Sequence, residues 1–234
     1  MGGEGFGAKI VFRLSDGMFI TETVTVTWAI MAILVIGSIL LTKNLQRMPS
    51  RVQIVVEMFV ETVYNLTKTT MGEDKVGFAP YIGTLILYLT FANLAGLAGV
   101  RPPTADLNAT LALALITFGM IHVNGVRRKG LFGYLKGFTE PFALLTPINL
   151  IGEIATPVSL SFRLFGNIVG GMIIMSLLYG ALGAASTALL GTQIPFLAIG
   201  VPAILHIYFD LFSGLLQTFI FAMLTMVFVS GAMD

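Results

Sequence analysis

Two long stretches in the second half of this 234-residue sequence carry almost no charge, and their length limits what the chain can fold into. They cover residues 146–181 and 196–231, and each would measure about 54 Å as a continuous helix. The hydrocarbon core of a membrane is only about 30 Å thick, and about 20 apolar residues cross it. We therefore expect both stretches to lie in a membrane and to tilt, kink or break there.

Three shorter apolar runs precede these stretches, at residues 24–41, 79–99 and 107–126. Charged residues make up 11% of the chain and apolar residues 56%, whereas soluble domains are about 25% charged. Such a composition excludes a soluble enzyme, a nucleic-acid binder and a disordered protein. It predicts an all-α membrane protein of five to six helices, with residues 1–234 forming a single polytopic membrane domain. The two long C-terminal helices should form an antiparallel hairpin.

Residues 50–70 have a different pattern, because their polar side chains recur every four positions. The polar stripe consists of Gln53, Glu57, Glu61 and Asn65. The opposite face is filled by valine, phenylalanine and leucine. This periodicity predicts an amphipathic interfacial helix that lies on the membrane or on protein.

The basic residues predict the orientation of the chain, since Lys and Arg are enriched in inside loops. Nine of them fall in residues 42–78 and 127–140, on one side of a five-span arrangement. The other side has only Lys9, Arg13 and Arg101. The bias places the N-terminus outside and the C-terminus in the cytoplasm. The thirteenth basic residue is Arg163, which lies in a predicted span.

A charge such as Arg163 at the centre of a bilayer costs about 2.5–3.5 kcal/mol on insertion scales. One alternative is that its side chain reaches the interface, which the mid-span position disfavours. A second is a structural ion pair with Glu153 or Asp210, the acidic residues of the two long stretches. We favour a functional role, because ionisable residues inside membranes mark ion pathways.

The two carboxylates should flank the arginine along the membrane normal. Glu153 precedes Arg163 by ten residues, which is about 15 Å of helix towards the inside. Asp210 lies in the antiparallel stretch and should be slightly to the outside. Because an arginine cannot be deprotonated in a protein, it cannot pass a proton on. The arrangement therefore predicts an ion relay interrupted by a fixed positive charge.

Further polar residues accompany these charges. Positions i, i+4, i+7 and i+11 of the last stretch share one helical face and are occupied by His206, Asp210, Ser213 and Gln217. Asn167 follows Arg163 by one turn. Such residues either line an ion path or form hydrogen bonds that hold the helices together. Asp106 and Asn108, at the outside end of the third run, either cap a helix or form an outside entrance.

Three segments resemble the signature of one family, subunit a of the bacterial F-type ATP synthase. The first is Arg163-Leu-Phe-Gly-Asn167, preceded by Pro157-Val-Ser-Leu-Ser-Phe. The second is Gln217-Thr-Phe-Ile-Phe-Ala-Met-Leu-Thr-Met, and the third is Pro103-Thr-Ala-Asp-Leu-Asn-Ala-Thr110. The likeness extends from the amphipathic segment to the C-terminus.

The resemblance implies an ion-translocating stator in the bacterial cell membrane. Two offset half-channels would lead ions to the carboxylates of a c-subunit ring, with Arg163 separating them. Gln217, Asn167 and Glu153 match functional positions of the family. Other partners would be the peripheral stalk b subunits and membrane lipid. The chain contains no Walker A motif, so we expect it neither to bind nor to hydrolyse a nucleotide by itself. As a channel subunit it should have no enzyme activity of its own, no cofactor or metal and no nucleic-acid partner.

The sequence also departs from the family pattern. Several members have a glutamate nine residues after the arginine, where this chain has Met172. We therefore expect Asp210, with His206 and Ser213 nearby, to carry the outside half-channel alone. The proton is the default coupling ion and Na⁺ the alternative. A stand-alone secondary transporter is a second reading, which the absence of an evident internal repeat disfavours. An intramembrane hydrolase is a third, but Ser159 and Ser161 have no histidine near them in the sequence.

Overall fold

The structure is a bundle of long helices. The computed structural model describes residues 9–15, 18–139, 142–190, 202 and 204–234. Five of the helices in these residues are long and apolar enough to cross a membrane, and α2 is amphipathic. The predicted all-α membrane fold is confirmed. The helices are α1 (Glu22–Thr42), α2 (Arg51–Met71), α3 (Ala79–Leu94), α4 (Leu107–Gly137), α5 (Thr146–Leu190) and α6 (Ile204–Met233).

The bundle has two ends, which we name after residues that lie there. The Pro102 end contains the short 3-10 turns Ala95–Ala98 and Pro103–Ala105, between α3 and α4. The Tyr134 end contains the last turns of α4, the start of α5 and the end of α6. Because α4 runs from the first end to the second, α5 returns towards the Pro102 end and α6 comes back to the Tyr134 end.

Helix α5 is longer than the sequence predicted. It continues to Leu190 rather than ending at residue 181, and its 45 residues correspond to about 67 Å. Its last turns are rich in alanine, the strongest helix former, which explains the extension. Pro157 is accommodated inside the helix. Such a helix is too long to stand upright in a bilayer core of about 30 Å. Because the helix is continuous, it must tilt in the membrane rather than break there. Of the other long stretch, residues 196–201 and 203 lie outside the described residues.

Apolar side chains from four helices form the centre of the bundle. Leu85 and Leu89 of α3 pack against Leu164 of α5 and Phe221 of α6, and all four are buried. A second apolar cluster lies at the Tyr134 end, where Val63 of α2 joins residues of α3, α4 and α6. The C-terminal half of the amphipathic helix therefore packs on this end of the bundle, while Val52 and Val55 near its start are exposed.

A buried asparagine joins the Pro102 end to α6. The Thr104 hydroxyl donates to Asn93 Oδ1 at 2.8 Å. Asn93 Nδ2 donates to the Gly214 carbonyl at 2.9 Å and to Thr218 Oγ1 at 3.0 Å. A Cβ on Gly214 would lie only 3.2 Å from the Asn93 Cβ, so glycine permits this close approach. The turn before α4 is thereby fixed against α6.

A second polar contact closes the Tyr134 end. The Lys75 ammonium is buried and donates to Ser230 Oγ at 3.0 Å and to the Asp234 carboxylate. The hydrogen bond from Lys75 holds the pKa of the Asp234 carboxyl below its usual value. A lowered carboxyl pKa stabilises the fold at neutral pH, and this contribution disappears as the pH falls through that pKa.

The first described residues form a small hairpin that the sequence analysis did not anticipate. Strands β1 (Ile10–Ser15) and β2 (Met18–Thr21) pair in antiparallel fashion immediately before α1. The Asp16-Gly17 pair between two apolar runs is the sequence signal for such a hairpin.

Replacing Asn93 by alanine should destabilise the bundle. The change removes the acceptor of the buried Thr104 hydroxyl, and Thr218 keeps its bond to the Gly214 carbonyl; an unsatisfied buried group costs about 1–3 kcal/mol. The thermal midpoint of the detergent-solubilised protein should fall accordingly. Thr84→Ala on the same helix is the matched control, because the Thr84 hydroxyl is exposed and bonds only to the Pro80 carbonyl. Equal midpoints for the two variants would show that the Asn93 contacts add no stability.

Candidate functional site

Arg163 lies on the outward face of α5. Its neighbours Leu160 and Leu164 are buried in the bundle, with exposed fractions of 2% and 0%. Phe162, on the opposite side, is 54% exposed, and Arg163 itself is exposed. The helical periodicity that buries the leucines therefore turns the guanidinium away from the core.

The guanidinium has no partner of its own within the part of the chain that the structure describes. Arg163 forms neither a hydrogen bond nor an ion pair there. Asp210 is bonded to a histidine instead, and Glu153 is in none of the ion pairs. The structural ion pair that the sequence left open is thus not formed. An unpaired cation at mid-span costs free energy unless a partner supplies a carboxylate or water reaches it.

Three side chains form a hydrogen-bonded chain between α5 and α6. His206 Nδ1 lies 2.5 Å from Asp210 Oδ2, and His206 Nε2 lies 3.0 Å from the Tyr179 hydroxyl. The predicted His206–Asp210 pair is therefore close in space. Tyr179 was not singled out in the sequence, because a lone tyrosine in an apolar helix is usually a packing residue. Imidazole with a carboxylate and a phenol is a set of groups that can exchange protons.

Asn167 and Ser213 form a second contact between these helices. The Ser213 hydroxyl donates to Asn167 Oδ1 at 2.9 Å, and Asn167 Nδ2 approaches the Ser213 carbonyl at 3.4 Å. The contact lies at the end of a π-helical stretch, Ile207–Ser213, inside α6. π-helical turns rotate the residues that follow them relative to a regular helix, and they are frequent at functional sites.

Gln217 is separated from the other polar residues of its helix. It is 5% exposed, and its Nε2 has no hydrogen-bond partner among the described residues. The four polar positions of α6 therefore do not act as one stripe. Two are bonded to each other, the third is bonded to α5, and the fourth is buried with a free donor. The regular helical spacing assumed from the sequence does not account for the intervening π-helical stretch.

A cavity of about 400 Å³ opens at the Pro102 end and contains Asp210. Arg101, on the turn before α4, also lines it and donates to the Ala105 carbonyl at 3.1 Å. The α5 residues that contribute to this cavity all follow Arg163 in the chain, and they are Ile168, Gly171, Met172, Met175 and Ser176. Met172, at the position where an acidic residue was expected in the family, thus lies in the same cavity as Asp210.

A larger cavity of about 900 Å³ opens at the Tyr134 end and contains Glu153. Next to it is a smaller cavity of about 190 Å³, which Arg163 lines. The two cavities share the lining residues Gly152, Thr156 and Phe228, so they are adjacent. The space around Glu153 therefore borders the space around the arginine.

Asp106 and Asn108 lie outside both of these cavities. Asp106 Oδ1 accepts a hydrogen bond from the Asn108 amide at 3.0 Å, so it caps α4 as one of the two alternatives predicted. Its Oδ2 accepts from the Thr23 hydroxyl of α1 at 2.9 Å. Both residues line a separate groove between α1 and α4. Their role as an outside entrance stays a prediction.

Metal binding finds no support in the described part of the chain. No group of three or more histidine, cysteine, aspartate or glutamate residues is arranged there to hold a metal ion. Of the two cavity carboxylates, Asp210 is bonded to His206 and Glu153 is in no ion pair among the described residues.

The fold and the site define a polytopic membrane protein with a cavity at each end and an arginine in its spans that has no partner among the described residues. Residues 24–230 match the family described as ATP synthase A chain, and the chain belongs to this family. It is 40% identical to ATP synthase subunit a 1 of Hahella chejuensis over 92% of this chain and 85% of that protein. It is 39% identical to the subunit described as sodium ion specific in Propionigenium modestum, over 92% of this chain and 75% of that protein. It is 35% identical to ATP synthase subunit a of Moorella thermoacetica, over 91% of this chain and 90% of that protein.

Cysteine labelling should separate the two cavities by side. The native chain contains no cysteine, so a single introduced thiol is the only reactive one in it. Ser176→Cys in the Pro102-end cavity and Thr156→Cys in the Tyr134-end cavity should react with a membrane-impermeant thiol reagent from opposite faces of sealed vesicles. Ile33→Cys on the exposed face of α1 serves as the control for lipid-facing thiols. Labelling of both cavity positions from one face would contradict the arrangement.

Proposed function

We propose that this chain is the ion-translocating stator subunit of a rotary ATP synthase, with its two cavities as offset half-channels. The arrangement that carries the proposal is the position of Arg163 between two cavities that open at opposite ends. Each cavity holds one carboxylate, Asp210 on one side and Glu153 on the other. A straight pore would leak ions, whereas two half-channels separated by a fixed positive charge do not.

The orientation follows from the basic residues, which lie mostly at the Tyr134 end. In our proposal this end faces the cytoplasm and the Pro102 end faces outside, so the N-terminus is outside and the C-terminus inside. Glu153 then belongs to the inside half-channel and Asp210 to the outside one. The bacterial cell membrane is the compartment that this assignment implies.

A c-subunit ring is the partner that completes the site. The exposed face of α5 around Arg163 is apolar, with Val158 44% and Phe162 54% exposed. A Cβ added to Gly166 or Gly170 would meet nothing within 4 Å, so this face is open to a closely packed helix. A carboxylate on that helix would supply the counter-charge that Arg163 lacks in this chain. Peripheral stalk b subunits and lipid would cover other surfaces, and ATP would be bound by other subunits.

Each group has a distinct task in this mechanism. Arg163 stabilises the ionised form of a passing ring carboxylate, which therefore releases its ion before it crosses to the other half-channel. On the outside, Asp210 accepts and passes protons while His206 and Tyr179 hold its orientation through their hydrogen bonds. Gln217 Nε2 is buried inside the bundle and would reach the ring carboxylate only after the helices around it move. Asn167 and Ser213 keep α5 and α6 in register.

Arg163→Ala should abolish coupled ion transport. Without the fixed charge, the ring carboxylate has no counter-charge and the half-channels are no longer separated. ATP-driven pumping in inverted vesicles that contain the whole complex should fall to background, with hydrolysis either blocked or uncoupled. The matched control is Arg127→Ala, which removes an exposed arginine at the Tyr134 end. If the Arg163→Ala complex pumps as fast as the Arg127→Ala control, Arg163 does not separate the half-channels.

Asp210→Asn should slow ATP synthesis driven by an ion gradient, by about tenfold or more, because an amide cannot relay protons. Met172 offers no second carboxylate in that cavity. Synthesis is measured in reconstituted vesicles, with assembly checked by co-purification of the complex. Asp74→Asn, at an exposed aspartate of the Tyr134 end, is the control. Unchanged synthesis in a fully assembled Asp210 variant refutes the relay role.

Sodium is the second candidate for the coupling ion. The relative from Propionigenium modestum is described as sodium ion specific, and it is 39% identical to this chain over the matched residues. The test is ATP-driven pumping in the presence of a protonophore. A proton-coupled complex loses its pumping, whereas a sodium-coupled complex continues to accumulate Na⁺ and is stimulated by added Na⁺.

A further inference from the structure

Helix α4 reverses direction near its end, at a glycine. Gly130 has φ 73° and ψ 160°, a conformation that side-chain-bearing residues rarely adopt. We call the following residues, 131–139, the strap. Tyr134 in the strap reaches back to His122, twelve residues earlier, which in a straight helix would be about 18 Å away along the axis. The strap therefore folds back over the last turns of α4.

Two hydrogen bonds fix the strap to the bundle. The Tyr134 hydroxyl lies 2.5 Å from His122 Nδ1, and Asn149 Nδ2 of α5 donates to the Phe138 carbonyl at 2.9 Å. The His122 ring also contacts the Tyr134 ring edge to face, with centroids 5.8 Å apart. One bond thus attaches the strap to α4 and the other attaches it to α5.

The fit of the tyrosine against α4 depends on a second glycine. A Cβ on Gly125 would lie 2.6 Å from Tyr134 Cε2 and 2.9 Å from its Cδ2. Non-bonded carbon atoms do not come this close, so any larger residue at position 125 displaces the Tyr134 ring. Gly125 and Gly130 are therefore both needed for the observed position of the strap.

The strap forms one wall of the cavity that contains Glu153. Tyr134, Gly137 and Phe138 line this cavity together with Glu153 and Thr156 of α5. Phe132 of the same segment is 88% exposed and does not line it. The strap thus shapes the space in front of Glu153. Among the described residues, the Tyr134–His122 hydrogen bond holds the middle of the strap and the Asn149–Phe138 hydrogen bond holds its end.

We propose that the strap is an adjustable wall of the inside half-channel and that the Tyr134–His122 hydrogen bond positions it for ion exchange at Glu153. Tyr134 and His122 are then positioning residues, which act through the shape of the cavity rather than by carrying the ion. The inference rests on the proposed function, in which Glu153 exchanges ions with the cytoplasm.

The direct test is the rate at which a thiol in this cavity is labelled. Thr156→Cys is placed in the otherwise native chain within the whole complex, in inverted vesicles that expose the Tyr134 end. A water-soluble cationic thiol reagent is added. Tyr134→Phe keeps the ring and removes the hydroxyl, so labelling should become about fivefold faster, the effect of losing one typical hydrogen bond. Gly125→Ala should give a change in the same direction through displacement of the ring.

Two controls separate the strap from general loosening. Phe132→Ala alters the exposed side of the same segment and should leave the labelling of the thiol at position 156 unchanged. In right-side-out vesicles, labelling of Ser176→Cys in the other cavity should be the same with tyrosine or phenylalanine at position 134. Equal labelling of the Thr156→Cys thiol in the native, Tyr134→Phe and Gly125→Ala backgrounds overturns the inference.

A side-specific functional measurement completes the test. ATP-driven pumping takes its ion from the inside, so Tyr134→Phe should raise the ion concentration needed there for half-maximal pumping by about fivefold. The dependence of ATP synthesis on the outside ion should not change. If labelling becomes faster but the inside ion concentration for half-maximal pumping does not change, the strap has no role in ion exchange. A different outcome is possible, in which the Glu153→Gln complex pumps normally while Tyr134→Phe still speeds the labelling. That result contradicts the proposed route of the ion through Glu153, and the strap then has no part in ion exchange.

Discussion

A guanidinium that cannot lose its proton, placed in the middle of a membrane-spanning helix, is the constraint on which the rest of this structure depends. Arg163 is not neutralised by the two carboxylates of its own helix pair. One of these is bonded to His206, and the other lies in a cavity at the Tyr134 end. The charge is therefore available to a partner. Its exposure on an apolar face of α5 follows from the burial of Leu160 and Leu164 on the other side.

The surrounding architecture places one cavity at each end of the bundle. The Asn93 contacts fix the turn that borders one cavity, and the Tyr134 strap borders the other. The buried side chains of Leu164 and Phe221 pack at the centre of the bundle, and neither lines either cavity. The chain belongs to the ATP synthase subunit a family, and in our proposal these features admit ions from both sides and connect neither side to the other.

Hydropathy and charge were enough to predict the helices, the amphipathic segment and the position of Arg163, because burial in lipid requires long apolar runs and tolerates few charges. They did not reveal the π-helical stretch in α6, which lies between His206 and Gln217 and changes the helical spacing of the polar residues. The reversal at Gly130 was equally hidden, because a glycine after a basic cluster is an ordinary helix end. Tyr179 has no sequence signal, and its contact with His206 becomes visible only in the fold.

The most direct test of the central claim is to identify what contacts the Arg163 face in the native membrane. A photoactivatable group attached to Phe162→Cys, next to the arginine, should form an adduct with a small, apolar, ring-forming subunit, identified by mass spectrometry. The same group on Ile33→Cys, on the exposed face of α1, measures the background from lipid and other subunits. The account predicts the ring-subunit adduct at position 162 and its absence at position 33. Adducts with lipid alone at position 162, in an assembled and active complex, would contradict it.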